Sequence, residues 1–241
     1  MRTLGRTRRE AAIVLPPIKQ LATIIVPSKH SDIFEGCRSN LAECAKNATK
    51  ILIRDGTAIA EPEDWTTIQG PSSPFVYAHN MNLGIAACSG DVLLMNDDAR
   101  FVRAGTLEAL QGVLALRPDV GILSPIVQGV ANGVGYTREM AQVTSGYLSF
   151  VCVLIRRAVI DKIGLLDESF TGYGSEDVDY CRRAQAAGFS LAVTALATVA
   201  HTNGSSSYTR EADIEAKRQA SAKQYLQKWG RKTQGHYGDE Q

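Results

Sequence analysis

Residues 89–98 read Ser-Gly-Asp-Val-Leu-Leu-Met-Asn-Asp-Asp, a short apolar run with a helix-stopping Ser-Gly pair before it and three polar residues after it. Consecutive apolar residues between polar boundaries favour a strand that is buried on both faces. Ligands of open α/β sheets bind beyond the carboxyl ends of the strands. The sequence therefore predicts a buried strand over residues 91–95 that places Asn96, Asp97 and Asp98 at such an end.

Apolar runs alternate with stretches of helical period on both sides of this segment, which is the pattern of βαβ units. The predicted strands cover residues 22–26, 50–53, 75–77, 91–95, 120–124, 147–155 and 190–194. The predicted helices cover residues 33–47, 80–88, 106–116, 158–163, 178–187 and 209–229. We therefore expect an α/β fold: a single Rossmann-like domain with a mostly parallel central sheet flanked by helices, and a C-terminal helix.

The chain divides into three parts. Residues 1–20 are interpreted as a basic N-terminal extension that ends near a Pro-Pro pair, residues 21–208 as the folded domain, and residues 209–241 as a C-terminal helix and tail. The basic residues of the extension are Arg2, Arg6, Arg8 and Arg9. Residues 128–144 carry three glycines and little periodicity, so they are expected to form a loop.

The composition of the 241 residues is ordinary for a globular domain, with 44% apolar residues, 21% charged residues and a net charge of +1. Such a charge gives no support for a dedicated nucleic-acid binder. Five scattered cysteines without a C-x-x-C pair argue against a disulfide framework or a cysteine zinc site. The N-terminus lacks the apolar core of a signal peptide, and no segment approaches the roughly 18 apolar residues of a membrane span. We expect a cytoplasmic protein with no stable membrane span.

A second acidic stretch, residues 165–184, reads Leu-Leu-Asp-Glu-Ser-Phe-Thr-Gly-Tyr-Gly-Ser-Glu-Asp-Val-Asp-Tyr-Cys-Arg-Arg-Ala. Ser175 is placed to cap a helix whose first turn holds Glu176 and Asp177. The positive end of that helix would keep a carboxylate ionised, as a general base near neutral pH requires. The two acidic stretches could face each other across one cleft.

These polar residues also have structural interpretations. Asn and Asp favour turns and N-caps, and a lone histidine such as His201 is more often structural than a ligand. Asp179 faces another side of its helix and is expected to pair with Arg182 or Arg183. In favour of function, oxygen ligands at residues 96–98 suit Mg²⁺ or Mn²⁺ together with phosphate oxygens, and His201 is then a candidate third ligand.

Taken together, these segments resemble family 2 glycosyltransferases of the GT-A fold, especially their rhamnosyltransferase-like members. The resemblance extends from about residue 23 to residue 207. The matching segments are residues 23–27 as the opening strand, 75–78 with 82–84 before the metal-binding strand, 89–98 as that strand with its D-x-D motif, 145–157 as the acceptor-side strand, and 164–177 as the stretch that carries the catalytic acid.

The resemblance implies a role for each matched residue. Asp98 would coordinate Mn²⁺ or Mg²⁺ on the donor's diphosphate, Asn96 occupies the position of the motif's first acid, and His201 falls where many relatives place a metal-binding histidine. Asp177 would be the base that deprotonates the acceptor hydroxyl, with Glu176 beside it to orient or bind the acceptor. The residues implied to bind the donor are Pro27, Asp55, Asn82 and Asp97.

The implied function is inverting, divalent-metal-dependent transfer of a hexosyl or deoxyhexosyl group from a UDP-, dTDP- or GDP-sugar to an acceptor hydroxyl. The acceptor stays open between a saccharide, a lipid-linked glycan, a protein and a modified nucleic acid. The sequence departs from the family's pattern at Arg54, which replaces the first of two acids, at Asn96, and at residues 28–30, which read Ser-Lys-His.

Two other functions compete with this one. A nucleotidyltransferase also uses acids at strand ends with Mg²⁺, but it would normally carry a glycine-rich basic loop after the first strand, where residues 27–30 offer one lysine and no glycine. A non-catalytic sugar-nucleotide-binding domain should have lost an essential acid, yet Asp98 and Asp177 are both present.

Overall fold

A computed structural model describes residues 13–71, 74–129, 139–201 and 213–230. The arginines of the basic extension, the centre of the 128–144 loop and the predicted helix start at 209–212 lie outside the described residues. The strands are β1 (Thr23–Ser28), β2 (Lys50–Asp55), β3 (Thr66–Gly70), β4 (Val92–Met95), β5 (Ala99–Phe101), β6 (Val120–Val127), β7 (Gln142–Thr144), β8 (Cys152–Ile155) and β9 (Ser190–His201). The helices are α1 (Ser31–Cys44), α2 (Tyr77–Ala86), α3 (Thr106–Leu116), α4 (Arg157–Ile163), α5 (Glu176–Ala186) and α6 (Ile214–Trp229).

The strands form one sheet in the order β3-β2-β1-β4-β8-β6-β9-β5, with β7 paired to β9. The pairings among β3, β2, β1 and β4 are parallel, as is that of β6 with β9. β8 lies antiparallel between β4 and β6, and β5 and β7 pair antiparallel with β9. The sheet is therefore mixed rather than mostly parallel. β8 begins beside the end of β4, with Cys152 opposite Met95, and runs in the opposite direction.

Helices cover both faces of the sheet and give the molecule three layers. One apolar cluster packs α1 and α3 against the sheet through residues such as Phe34 and Leu110. The other packs α2, α4 and α5 against the opposite face through residues such as Met81, Ile160 and Tyr180. The strand predicted at 91–95 is the central strand β4, whose four residues are fully buried.

The structure differs from the sequence prediction at several places, of which three concern the first half of the chain. β3 was not predicted because Thr66–Gly70 has no apolar run, and this edge strand depends on its parallel pairing with β2. The predicted strand at 75–77 is absent: residues 75 and 76 have no regular secondary structure, and Tyr77 begins α2. Ordered structure also begins before residue 21, since Leu15 packs against Gly112 and the Gln111 side chain bonds to the backbone at Gln20 and Ala22.

Helix α6 docks on the loop that precedes α5. The Tyr173 N–H donates to the Lys217 carbonyl at 3.2 Å, and Gln224 donates to Ser169 at 2.6 Å. A methyl group on Gly172 would overlap the Lys217 carbonyl and the Ser221 hydroxyl, so helix and loop are in direct backbone contact. No helix in the described ranges combines the length and apolar character needed to cross a bilayer.

Gly172→Ala should force α6 away from this loop, because its clash is with backbone as well as with a side chain. We expect the free energy of unfolding to fall by about 1 to 3 kcal/mol, as for other overpacked sites, measured by thermal or urea unfolding. Gly90→Ala is the matched control, since nothing lies within 4 Å of its added methyl group. Equal stability of the two variants would contradict the close contact.

Candidate active site

The carboxyl ends of β2, β1 and β4 lie side by side and bring the predicted donor residues to one edge of the sheet. Pro27 and Asp55 end β1 and β2, and both are buried. The Ser28 hydroxyl donates a 2.6 Å hydrogen bond to the Asp97 carboxylate, and both side chains are buried. This bond joins the ends of β1 and β4, so Asp97 fixes the shape of the edge.

Asp98 and His201 lie together because of the pairing of β5 with β9. The register places Ala99, which follows Asp98, opposite His201 at the end of β9. His201 Nε2 lies 3.3 Å from Asp98 Oδ1, and both side chains are nearly buried. Two atoms at this separation can bind the same ion from adjacent positions of an octahedral site.

Two asparagines of α2 face different partners. Asn80 is fully buried and donates to the Asp55 carboxylate at 3.4 Å. Asn82 donates to the Leu166 carbonyl at 2.9 Å and to Glu168 at 2.8 Å, and its carbonyl oxygen accepts the Leu166 N–H at 3.0 Å. These bonds tie Asn82 to the loop before α5, and its predicted contact with the donor stays a prediction.

The reversed direction of β8 brings the residues before it to the end of β4. The Asn96 N–H donates to the Val151 carbonyl at 2.9 Å, and the Tyr77 hydroxyl donates to the Phe150 carbonyl at 2.7 Å. The segment 147–151 was predicted as part of a long strand, but β8 covers only Cys152–Ile155. Its residues instead form a wall beside Asn96.

Glu176 and Asp177 begin α5, as predicted, but the cap differs. Gly174 and Ser175 both have left-handed backbone conformations, with φ of 77° and 78°, and Ser175 makes no side-chain cap bond. A non-glycine residue with such a φ is strained, and strain of this kind clusters at functional sites. The Oδ1 atom of Asp177 instead accepts the Val178 N–H at 2.8 Å, so this side chain satisfies a backbone donor in the first turn of α5.

A cavity of about 360 Å³ joins the two acidic stretches. It lies between residues 147–151, the start of α5, and α6, and Asn96 reaches it from the end of β4. The lining residues are Tyr77, Asn96, Tyr147, Ser149, Phe150, Val151, Tyr173, Gly174, Ser175, Glu176, Asp177, Val178, Glu215, Arg218, Gln219, Ala222 and Tyr225. The structure thus places Asn96, Glu176 and Asp177 around one space.

Desolvation in this cavity raises the pKa of both acids. Burial raises the pKa of Glu176 most, and the neighbouring charge of Asp177 raises it further. Burial also raises the pKa of Asp177, although backbone hydrogen bonds from residues that include Val178 and Phe150 oppose the shift. The helix end was expected to keep a carboxylate here ionised near neutral pH. A pKa of about 6 is compatible with that expectation for Asp177, whereas burial outweighs the helix end at Glu176, whose pKa rises to about 8.

Asp179 is a structural residue, as expected, and pairs with Arg183 at 2.9 Å. It also accepts a 2.7 Å hydrogen bond from the Trp229 indole and lies 2.7 Å from the Lys228 ammonium group. Lys228 in turn pairs with Asp167 at 2.6 Å. These contacts join α5 and the loop before it to the end of α6.

A larger cleft of about 780 Å³ lies between α1 and residues 59–64, away from the predicted site residues. Five of its eleven lining residues are acids: Asp32, Glu35, Glu61, Glu63 and Asp64. None of the residues implied to bind donor or metal lines it, so it plays no part in the site described here.

The sequence did not reveal which other residues hold the predicted site residues in place or line the cavity with them. Ser28 and Asn80 hold Asp97 and Asp55, and α6 supplies Arg218 and Tyr225 to the cavity. Polar residues inside an apolar helical period, as at Asn80, are a signal that could have been used. The apolar side of α6 was recognised, but its period does not reveal which surface it covers.

Glu176→Gln should stabilise the protein at alkaline pH. The pKa of Glu176 is higher in the folded than in the unfolded protein. The stabilisation that Glu176 provides is therefore complete below the usual glutamate pKa, and it is lost as the pH rises towards the pKa of the folded state. At about pH 8.5 the variant should gain at least about 1 kcal/mol, or roughly 2 to 4 °C in Tm, with little change at about pH 4.

The control substitution Glu168→Gln should not raise the stability at alkaline pH, because the pKa of Glu168 is shifted in the opposite direction. Burial tends to raise the pKa of Glu168, but hydrogen bonds from Asn82 and His79 outweigh it and lower the pKa. Loss of that charge should leave the protein no more stable at alkaline pH. Thermal melts of both variants across the pH range check the pair, and a destabilised Glu176→Gln at about pH 8.5 would contradict the assignment.

Known proteins that are similar to this chain in sequence include a glycosyltransferase. The chain is 25% identical over 227 residues to a pre-mycofactocin glycosyltransferase of Mycobacterium tuberculosis, a match that covers 82% of this chain and 47% of that protein. It is 24% identical over 221 residues to the uncharacterized protein y4gI of Sinorhizobium fredii, covering 75% of this chain and 24% of that protein. The chain thus spans less than half the length of either relative. No family model matches it.

Solved structures share the fold at low identity. The mannosyltransferase PcManGT from Pyrobaculum calidifontis, in complex with GDP-Man and Mn²⁺, has a TM-score of 0.63 at 15% identity and covers 95% of this chain and 70% of its own. S. aureus TarS 1-349 in complex with UDP-GlcNAc has a TM-score of 0.56 at 15% identity, over 86% of this chain and 67% of its own. One relative in sequence and these solved structures are glycosyltransferases, and the chain shares the GT-A fold of the solved structures.

Proposed function

We propose that the chain is an inverting, divalent-metal-dependent glycosyltransferase that moves a hexosyl or deoxyhexosyl group from a nucleotide-sugar donor to an acceptor hydroxyl. The observation that carries this proposal is the arrangement of the acids on a GT-A fold. Asp98 and His201 meet at the carboxyl edge of the sheet, and Asp177 lies across a cavity that also contains Asn96.

The residues at the strand edge fit a divalent metal held jointly with the donor. Asp98 Oδ1 and His201 Nε2 are 3.3 Å apart, and Asn96 lies at the start of the same turn. Within the described ranges no three His, Cys, Asp or Glu side chains converge on one point, so the protein would supply few ligands and the diphosphate the others. Mg²⁺ and Mn²⁺ sites of this kind rely on substrate phosphates. When bound, the ion would neutralise negative charge on the departing nucleoside diphosphate.

Asp177 is the proposed base. It is only partly buried and lines the cavity, whereas Glu176 beside it is buried. A raised pKa brings the carboxylate of Asp177 closer to the operating pH, which favours proton transfer from a hydroxyl. Glu176, which holds its proton more strongly, can donate a hydrogen bond to the acceptor without competing for its proton. An acceptor hydroxyl activated here would attack from the side opposite the diphosphate and invert the anomeric carbon.

The proposed donor, a nucleotide sugar, is supported by the ligands of the structural neighbours and by the residues at the strand edge. GDP-Man is bound with Mn²⁺ in one neighbour, UDP-GlcNAc in a second, and UDP with Mn²⁺ in GalNAc-T7, a third neighbour with a TM-score of 0.57 at 13% identity, over 76% of this chain and 44% of its own. In this chain Pro27, Asp55 and Asp97 surround the corresponding edge. Arg54 pairs with Glu61 at 3.1 Å and bonds to Gln69, which fixes the rim where the family more often carries an acid.

Asp98→Asn should weaken metal-dependent binding of the nucleoside diphosphate. Isothermal titration of UDP, dTDP and GDP, with and without Mn²⁺, first identifies the nucleotide that binds. Loss of an outer-shell partner alone costs 10–100-fold in metal affinity, so loss of a direct ligand should cost at least about tenfold. Asp161→Asn, an exposed acid on α4, is the control. Metal-independent binding by the wild type, or equal binding by both variants, would argue against this site.

Asp177→Asn should abolish transfer and leave diphosphate binding nearly intact, because an amide cannot accept the hydroxyl proton. Turnover is followed by release of the nucleoside diphosphate, and binding by the same titration. An equal loss of both would contradict the base assignment. Wild-type product examined by NMR should have the anomeric configuration opposite to that of the donor; a retained configuration would exclude the proposed geometry.

A further inference from the structure

Helix α6 forms one wall of the cavity that Asp177 lines, and its residues there are Glu215, Arg218, Gln219, Ala222 and Tyr225. The wall is held by its contacts with the loop before α5, by the Asp179 cluster, and by Arg182, which donates to the Tyr225 hydroxyl at 3.2 Å and stacks on Trp229. The cavity is therefore a built space between two fixed walls.

Aromatic rings dominate the two walls. Five of them line the cavity: Tyr77, Tyr147, Phe150, Tyr173 and Tyr225. Aromatic faces carry partial negative charge and pack well against polarised C–H groups, which a pyranose ring presents on its flat sides. Side-chain amides and a hydroxyl are interspersed at Asn96, Ser149 and Gln219. Few polar groups on apolar walls are typical of sites that orient a small ligand.

The charges of the cavity disfavour an anionic ligand. It is lined by three carboxyl groups, those of Glu176, Asp177 and Glu215, and by one guanidinium group. That group belongs to Arg218, which lies 3.7 Å from Glu215 and 4.8 Å above the Tyr173 ring. Its charge is therefore shared with a partner on its own helix. A phosphate or carboxylate here would meet repulsion from the carboxylates of Asp177 and Glu215, which outnumber the single guanidinium group.

We propose that this cavity binds an uncharged saccharide ring as the acceptor, stacked between the aromatic walls, and that α6 is the element that recognises it. The inference rests on the proposed function, because the acceptor hydroxyl must reach Asp177. It selects the saccharide from the acceptor classes that the sequence left open. It also requires any anionic part of a larger acceptor to lie outside the cavity.

Ala222→Trp tests the cavity directly. Ala222 is exposed on α6 and lines the cavity, so an indole there fills space that the acceptor would occupy with little cost to folding. Ala220→Trp adds the same side chain at an exposed position of α6 that does not line the cavity. Thermal melts establish that both variants fold.

Binding is measured by saturation-transfer difference NMR on the full chain with Mg²⁺ and the nucleoside diphosphate that titration identifies. The probes are the methyl glycosides of glucose, galactose, mannose and N-acetylglucosamine, and the 1-phosphates of the same sugars. We expect ring C–H signals from at least one methyl glycoside and weaker signals from its 1-phosphate. Ala222→Trp should bind that glycoside at least about tenfold more weakly, a change of about 1.4 kcal/mol, while Ala220→Trp binds it like the wild type.

Tighter or equal binding of the 1-phosphates would overturn the inference, as would unchanged binding by Ala222→Trp or the absence of any methyl glycoside signal from a wild type that binds the diphosphate. If Ala222→Trp does not fold, the comparison of neutral and phosphorylated sugars on the wild type still decides. A wild type that binds no diphosphate would instead overturn the proposed function itself.

Discussion

A buried carboxylate holds the acid-bearing helix in place. Asp179 is fully buried, and an unpaired charge in that position would cost several kcal/mol. Arg183 from its own helix and Lys228 and Trp229 from α6 satisfy both of its oxygens. Because Asp179 lies two residues after Asp177, the same contacts that neutralise it also fix the start of α5. The same polar cluster therefore helps to fix both the position of the proposed base and the α6 wall.

The second constraint is the direction of β8. Parallel strands β2, β1 and β4 deliver Asp55, Pro27 and Asn96 to one edge, as in any open α/β sheet. Antiparallel β8 begins where β4 ends, with Met95 opposite Cys152, so the segment before it returns to that same edge. One change of strand direction thus places the proposed donor surface and the proposed acceptor wall beside each other.

The sequence predicts the parts of this site that depend on local patterns. The buried strand before Asn96 follows from four apolar residues, and the placement of Glu176 and Asp177 in a first helical turn follows from the residues around them. The proximity of His201 to Asp98 does not, because it is created by β5, a three-residue strand that exists only through its pairing with β9. Pairing between distant segments leaves no signal in either one alone.

The sequence predicted that the helix end keeps its acids ionised, and this prediction is wrong for Glu176. A helix N-terminus favours a charged acid only within its first turn, and the sequence alone shows which acids lie there. Desolvation depends on what covers the acid, and here the cover includes residues 147–151 and α6, which lie far away in the chain. The direction of the pKa shift is therefore a property of tertiary packing. The same reason explains why the apolar side of α6 was visible but its role in the cavity was not.

The docking of α6 has a consequence for the order in which the protein is assembled on the ribosome. The residues of the proposed donor edge, β1 to β4, have all been synthesised once residue 95 is reached. The Asp179 cluster needs Lys228 and Trp229, more than 100 residues later. The cavity therefore cannot gain its α6 wall until the last of these residues has been added, whereas the strands of the proposed donor edge are present much earlier.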